Sequence, residues 1–114
     1  MLKPLRGDIW SIDLNPTRGH EQSGKRPGLV LTENTFNLGP AGLVVALPIT
    51  SKHKGIPLHV EILPKESGLR ARSFIKCEDI RSVSKLRLLS RLGAVDESIM
   101  RKVEEHVKIL LGLF

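Results

Sequence analysis

The sequence predicts a mainly β fold, a small barrel or strongly bent sheet of short strands with one helix at the carboxyl end. Two observations predict it. Short apolar runs alternate with glycine- and proline-rich turns along most of the chain, at the spacing of about eight to twelve residues that is typical of small antiparallel barrels. Helical periodicity dominates only the last stretch. Because no repeat, low-complexity tract or linker interrupts the 114 residues, we expect residues 1–114 to form one domain.

Several apolar runs have strand character. Asp8–Leu14 is close to period two and predicts a first strand, and Leu29–Thr32 predicts a second. The β-branched run Leu43–Ile49 is short, which favours a central strand over a buried helix. Leu58–Leu63 alternates like a half-buried strand.

The connections and the remaining segments are less regular. Glu33–Leu38 is expected to form a short helical turn with Thr32 as its N-cap. The rest of the predicted segments are a charged loop at Lys65–Arg72, two short strands at Ser73–Cys77 and Asp79–Val83, and Leu86–Val95, which is leucine-rich but interrupted by Gly93 and fits no single element.

The carboxyl-terminal segment predicts a helix. Asp96 is a good N-cap, and Gly112 is a plausible stop. Between them, apolar residues recur at helical spacing and form one stripe: Ile99, Met100, Val103, Val107, Leu110 and Leu111.

Composition limits the functional classes. The formal net charge of +6 favours a polyanionic partner, either nucleic acid or an acidic protein. Cys77 is the only cysteine, which suits a reducing compartment and a buried thiol. The first residues do not resemble a signal peptide, and no apolar run is long enough to span a bilayer. We therefore expect a cytoplasmic protein that does not act at a membrane.

No motif points to a metal or a cofactor. The chain lacks phosphate-binding glycine loops of the P-loop or dinucleotide type. Its histidines are scattered, and none forms a zinc-type pattern with Cys77. Trp10 and Phe74 alternate with polar neighbours inside predicted strands, so core packing is expected for both rather than base stacking.

The polar loop from Arg18 to Pro27 is the first place where chemistry is expected. Arg26 precedes Pro27, which holds it extended and fixes the direction of a guanidinium that can bind phosphate through two parallel hydrogen bonds. His20 titrates near neutral pH and can move a proton. Glu21 can serve as a base, as an orienting partner of Arg26 or as a solvated charge.

Thr50 carries the second candidate group, a hydroxyl at the end of the predicted central strand. RNA brings its own nucleophile, the 2′-OH. Cleavage by that route needs a proton acceptor, a proton donor and groups that stabilise the charged phosphorane. Histidine, arginine and threonine can supply these without a metal, although loops of this composition are most often solvated turns.

Seven short motifs follow one another along the chain: Arg6-Gly7-Asp8-Ile9-Trp10, Asn15-Pro16-Thr17, Gly19-His20-Glu21-Gln22-x-Gly24-x-Arg26-Pro27, Leu29-Val30-Leu31, Phe36-Asn37, Pro48-Ile49-Thr50-Ser51 and Asp79-Ile80-Arg81-Ser82-Val83. In this order they resemble the MazF/PemK (Kid) family of toxins, over nearly the whole chain. The resemblance implies a small SH3-like, partly open β-barrel with a carboxy-terminal helix, usually a homodimer.

The same resemblance implies an activity and a partner. It implies the toxin of a type II toxin–antitoxin system, a metal-independent and sequence-specific endoribonuclease that cleaves single-stranded RNA, often mRNA, without a cofactor. The products would carry a 2′,3′-cyclic phosphate and a 5′-OH. It also implies an antitoxin whose acidic, flexible tail covers the active groove.

Carried over by position, the resemblance assigns the catalytic arginine to Arg26 and the catalytic threonine to Thr50. His20 matches the histidine of the PemK branch. Glu78 and Lys76 fall where that branch has aspartate and arginine. Glu21 is a further candidate for proton transfer. The residues expected to bind substrate are Gln22, Lys25, Ser51, Lys52, Lys54, Arg70, Arg72, Lys76 and Glu78. The basic loop residues among them could equally be ordinary solvated charge.

Two other functions are compatible with a basic β-barrel. One is a non-catalytic toxin of the same barrel class that inhibits a topoisomerase, which would not need Arg26 and Thr50 together. The other is a nucleic-acid-binding barrel without catalysis, which would need basic and stacking residues but no acid–base set.

Overall fold

A computed structural model of the chain describes residues 2–15 and 24–113. The strands are β1 Asp8–Asp13, β2 Lys25–Val30, β3 Leu43–Thr50, β4 His59–Ile62, β5 Ser73–Lys76, β6 Arg81–Ser84 and β7 Leu88–Ala94. The helices are α1 Asn34–Asn37, α2 Pro64–Ser67 and α3 Glu97–Leu111, and 3₁₀ turns cover Cys77–Asp79 and Lys85–Arg87.

The strands form one antiparallel sheet in the order β4-β5-β3-β2-β1-β7, and β6 pairs with β3 beside this path. The central strand β3 pairs with β2 along one edge. Along its other edge it pairs first with β6 over Leu43–Ala46 and then with β5 at Ile49 and Thr50. In the described part of the chain β4 pairs with β5 alone and β7 with β1 alone. The sheet is therefore strongly bent but not closed, as the sequence predicted.

Each face of the sheet has its own hydrophobic core. The face that carries α3 buries Ile9, Leu29, Leu47, Ile49, Val60, Ile62, Ile75, Cys77, Ile99, Met100, Val103 and Val107. The opposite face buries Trp10, Ile12, Leu14, Val30, Val44, Ala46, Val83 and Leu88. Since side chains alternate along a strand, the parity of a residue in β2 or β3 tells which of these two faces its side chain shares.

Local sequence determines both ends of α3. The Asp96 carboxylate accepts a hydrogen bond from the backbone N–H of Ile99 at 3.0 Å. This hydrogen bond holds the pKa of Asp96 below its ordinary value. At the other end Gly112 adopts a left-handed conformation, with φ of 69°, which terminates the helix at little steric cost. The predicted helix is confirmed at both ends.

Four predicted details differ from the structure. β2 begins at Lys25 rather than Leu29, because pairing with β1 continues to Asp13–Lys25. Thr32 is not an N-cap: its hydroxyl bonds Asn37 and accepts from the N–H of Val45. The predicted loop at 65–72 begins with the one-turn helix α2, and the irregular stretch 86–95 is mostly strand β7. No helix among the described residues is long and apolar enough to cross a membrane.

Candidate active site

One edge of the sheet brings together the start of β2, the end of β3 and the start of β5. The pair Gly28–Pro48 is the last one between β2 and β3, and two residues further along the two strands stand Arg26 and Thr50. The pairing between β2 and β3 ends before Arg26 and Thr50, which lie equally far beyond its last pair. They share the parity of Val30 and therefore the face away from α3.

Arg26 is exposed and immediately precedes Pro27. Its backbone is extended, as the sequence predicted, but it lies within strand β2 rather than in the loop where it was expected. Thr50 is half-buried at the end of β3. Its Oγ1 accepts a hydrogen bond from the backbone N–H of Lys52 at 3.2 Å. This edge therefore carries an arginine whose backbone is held extended and a threonine whose hydroxyl oxygen already accepts a hydrogen bond from the backbone.

Phe74 is the cross-strand neighbour of Thr50 and links two loops at this edge. The ring of His53, from the loop after β3, lies 4.9 Å from the Phe74 ring. The guanidinium of Arg72, from the loop before β5, lies 5.1 Å from the same ring and also bonds Glu61. Phe74 and Trp10 are both buried, which confirms the expected packing roles.

A cluster of charged side chains lies beside this edge, on β4, β5, β6 and the 3₁₀ turn. Nε2 of His59 lies 2.8 Å from Oε2 of Glu78. Asp79 accepts from Arg81 at 2.6 Å and lies 3.6 Å from Nζ of Lys76. His59 and Lys76 are direct cross-strand partners. Lys76 follows Phe74 by two residues, so it shares the face of Thr50.

This cluster contains polar atoms that are buried without a hydrogen-bond partner, among them Nδ1 of His59 and Oε1 of Glu78. Native proteins pair most buried polar atoms, so each exception needs an explanation. Lys76 and Glu78 were predicted as site residues from the sequence, whereas His59, Asp79 and Arg81 were not. His59 occupies a polar position of the alternating run 58–63, which was the one available sequence signal. Its contact with Glu78 depends on pairing between strands.

Cys77 lies between these charged residues in the chain but faces the α3 core, where it is fully buried. Burial, assisted by the neighbouring Glu78 carboxylate, raises the pKa of the thiol to about 12. The thiol therefore stays protonated at neutral pH and is a core residue, as the sequence predicted.

The predicted site residues fall into three groups. Arg26 and Thr50 lie at the edge described above. Lys25 precedes Arg26, the residues Ser51, Lys52 and Lys54 follow β3, and Arg70 and Arg72 precede β5. Lys76 and Glu78 belong to the charged cluster. His20, Glu21 and Gln22 lie outside the described residues. Within residues 2–15 and 24–113, no three histidine, cysteine, aspartate or glutamate side chains are grouped so that they could hold a metal ion.

Residues 5–111 match the sequence model of a protein family, the PemK-like, MazF-like toxins of type II toxin–antitoxin systems. The chain belongs to this family. It is 38% identical over 109 residues to endoribonuclease EndoA of Bacillus subtilis (strain 168), an alignment that covers 95% of this chain and 94% of that protein.

Solved structures of the family share the fold. MazF from Deinococcus radiodurans superposes with a TM-score of 0.87 at 30% identity and covers 99% of this chain and 100% of its own. An endoribonuclease from a mycobacterial species, solved in complex with its cognate antitoxin, has a TM-score of 0.79 at 27% identity and covers 100% of this chain and 98% of its own. The predicted family and the partly open barrel are both confirmed.

Proposed function

We propose that this PemK/MazF-family chain is an endoribonuclease toxin that cleaves single-stranded RNA, including mRNA, at specific sequences by attack of the ribose 2′-OH. Two relatives of the chain are named endoribonucleases. The observation that supports the proposal is that Arg26 and Thr50 each stand two residues beyond Gly28–Pro48, the last pair between β2 and β3, in segments that also carry exposed cations.

Arg26 is the group proposed to hold the scissile phosphate. Its guanidinium is always charged and offers donors in a planar fork that matches two phosphate oxygens. Negative charge grows on the non-bridging oxygens as the phosphorane forms. A cation that is already in place stabilises this transition state more than the ground state, which accelerates the reaction.

Thr50 is proposed to donate the second hydrogen bond to the phosphate. Because Oγ1 accepts from the N–H of Lys52, the hydroxyl proton can point to a phosphate oxygen. A threonine is also stiff about its first side-chain torsion, so less freedom is lost when it engages the substrate.

Proton transfer completes the proposed mechanism. A base removes the 2′-OH proton while O2′ bonds to phosphorus, the P–O5′ bond breaks, and an acid protonates the departing O5′. The products are a 2′,3′-cyclic phosphate and a 5′-OH. Candidates for the acid and the base are His20, Glu21 and Glu78, and Lys76 adds charge stabilisation. Every group in this scheme is a side chain, so no cofactor takes part.

The remaining predicted substrate contacts would hold the backbone and read the bases. Lysine and arginine in the two loops at the edge suit phosphates, whereas Gln22 and Ser51 suit base edges. The residues proposed for these contacts are Gln22, Lys25, Ser51, Lys52, Lys54, Arg70 and Arg72.

The proposed partner is an antitoxin with an acidic, flexible tail. The toxin chain is proposed to form a homodimer and to act in the cytoplasm. Complexes with antitoxin are known for the mycobacterial relative. An acidic tail is complementary to the cations around Arg26, so it would compete with RNA for the same edge.

The direct test is RNA cleavage in EDTA by the wild type, Arg26→Ala and Thr50→Ala, with a long single-stranded RNA as substrate. We expect discrete cuts by the wild type and a rate loss of about 10²-fold or more in each variant, because each loses a phosphate donor. Arg101→Ala and Thr35→Ala change exposed residues of α3 and α1 and should cleave like the wild type.

Other outcomes would reject the proposal. A wild type that cuts no RNA in any buffer, or variants that cut at the wild-type rate, would contradict it. Inhibition of a topoisomerase in a supercoiling assay, without cleavage, would favour the non-catalytic toxin. Binding of RNA without either effect would favour a plain nucleic-acid-binding barrel.

A further inference from the structure

His59 and Glu78 form a pair that is buried at one end and reaches the surface at the other. The His59 side chain is 4% exposed and the Glu78 side chain 28% exposed. Their contact joins Nε2 to Oε2 at 2.8 Å. The imidazole is therefore fixed inside the fold, whereas part of the Glu78 side chain reaches the surface.

The surrounding charges make His59 the partner that orients Glu78. Lys76, directly across from His59, lies near Asp79, and Asp79 also forms an ion pair with Arg81. Glu61, two residues along β4, bonds Arg72. Each of these charges has a partner of opposite sign in the described part of the chain. The side chain of Glu78 bonds His59.

The open atoms of this pair do not fit a purely structural role. Oε1 of Glu78 and Nδ1 of His59 are both buried without a partner. Leaving a buried polar atom unpaired costs about 1–3 kcal/mol. Because Oε1 is buried, a substrate would meet Glu78 through the part of its side chain that is exposed, which is 28% of its surface.

We propose that His59 is a positioning residue, whose Nε2–H holds the Glu78 carboxylate in the orientation in which it accepts the proton of the RNA 2′-OH. This inference rests on the proposed function and assigns a role to His59, which neither the sequence motifs nor the proposed mechanism uses. With Glu78 ionised, Nε2 carries the imidazole proton and donates it. Glu78 has three side-chain torsions, and His59 removes the freedom that would otherwise misplace the carboxylate.

The test compares kcat and KM for cleavage of a short RNA that contains one cut site. The variants are His59→Ala, His59→Gln, Glu78→Gln and the double variant His59→Ala/Glu78→Gln. The amide nitrogen of glutamine can replace Nε2 as a donor. The matched control is His106→Ala. His106 is a half-buried histidine on α3 with one bond to the fold, between Nδ1 and the carbonyl of Leu58 at 3.2 Å.

We expect His59→Ala to lower kcat by about 10²-fold with little change in KM, because the carboxylate is misplaced rather than the substrate lost. His59→Gln should recover most of the rate. The double variant should be no slower than Glu78→Gln alone, because residues that act as one unit are not additive. The acid limb of the kcat–pH profile should be lost in Glu78→Gln and displaced in His59→Ala, and His106→Ala should leave it unchanged.

The outcomes separate this proposal from the proposed function. A wild type that does not cleave RNA overturns both. An active wild type with His59→Ala no slower than His106→Ala, per mole of folded protein, overturns the positioning role alone. So do full activity in Glu78→Gln and additive losses in the double variant. If His59→Ala fails to fold, a folded His59→Gln variant that is as slow as Glu78→Gln overturns it as well.

Discussion

The carboxylate of Asp8 is buried at the start of β1 and ties together three segments. Oδ2 accepts from the backbone N–H of Leu5 at 2.9 Å and from Nε1 of Trp10 at 3.3 Å. Oδ1 accepts from Nε of Arg91 on β7 at 3.2 Å. Because three donors converge on one buried carboxylate, Asp8 is expected to matter for stability rather than for chemistry.

Asp8→Ala should lower the free energy of unfolding by about 2–4 kcal/mol, since it leaves the buried indole N–H of Trp10 unpaired and removes two further hydrogen bonds. Chemical denaturation measures this change. Asp13→Ala on the same strand is the control, because that carboxylate accepts one local hydrogen bond from the exposed Asn15 N–H. A loss below about 1 kcal/mol is expected there. Equal effects of the two variants would contradict the role given to Asp8.

Single residues were predictable where their setting is local. Arg26 could be selected because Pro27 constrains it, and Thr50 because it ends an apolar run. The pair His59–Glu78 could not be predicted, because it joins residues 19 positions apart through the pairing of β4 with β5. Sequence spacing carries no information about such a contact until the register of the strands is known.

At the scale of elements, β7 and α2 approach each other where Gly93 stands. A Cβ on Gly93 would lie well inside van der Waals contact with the carbonyl oxygen of Ser67, the last residue of α2. Glycine within a strand often marks such a close approach of two backbones. The glycine that made the stretch 86–95 difficult to interpret from sequence is therefore what allows β7 to lie against α2.

Gly93→Ala should destabilise the fold by about 2 kcal/mol or more, because a backbone carbonyl must move to admit the methyl group. Gly28→Ala in β2 is the matched control. Its Cβ would lie 2.5 Å from Cδ1 of Ile12, the end of a flexible side chain, so a smaller loss of about 1 kcal/mol is expected. Thermal unfolding of both variants measures the difference, and a Gly93→Ala variant as stable as the wild type would contradict the role of Gly93.

Helices and strands, like single residues, were predictable where local sequence determines them. Helix α3 was predicted to its ends because the Asp96 cap and the Gly112 stop are local features. The early start of β2 could not be predicted, since Lys25–Gly28 is polar or glycine- and proline-rich and becomes a strand only by pairing with β1. Tertiary pairing overrides local propensity at such places.

For the whole molecule, the cations behind the net charge of +6 include residues at the start of β2, in the loop after β3 and in the loop before β5. These three segments meet the edge that carries Arg26 and Thr50. The exposed cations there are Lys25, Arg26, Lys52, Lys54, Arg70 and Arg72. Composition predicted a polyanionic partner, but only the topology shows that cations from distant parts of the chain share one edge.

This distribution predicts how RNA binding depends on salt. The probe is a 2′-O-methyl copy of a cleaved RNA, which lacks the attacking hydroxyl. Lys52→Ala/Lys54→Ala should reduce the slope of log K against log salt by about 1.4, since each phosphate contact on a single strand contributes about 0.7. Arg101→Ala/Lys102→Ala removes the same charge from α3 and should leave the slope unchanged. Fluorescence anisotropy across a salt series measures both, and equal slopes for the two double variants would mean that overall charge, rather than this edge, holds the RNA.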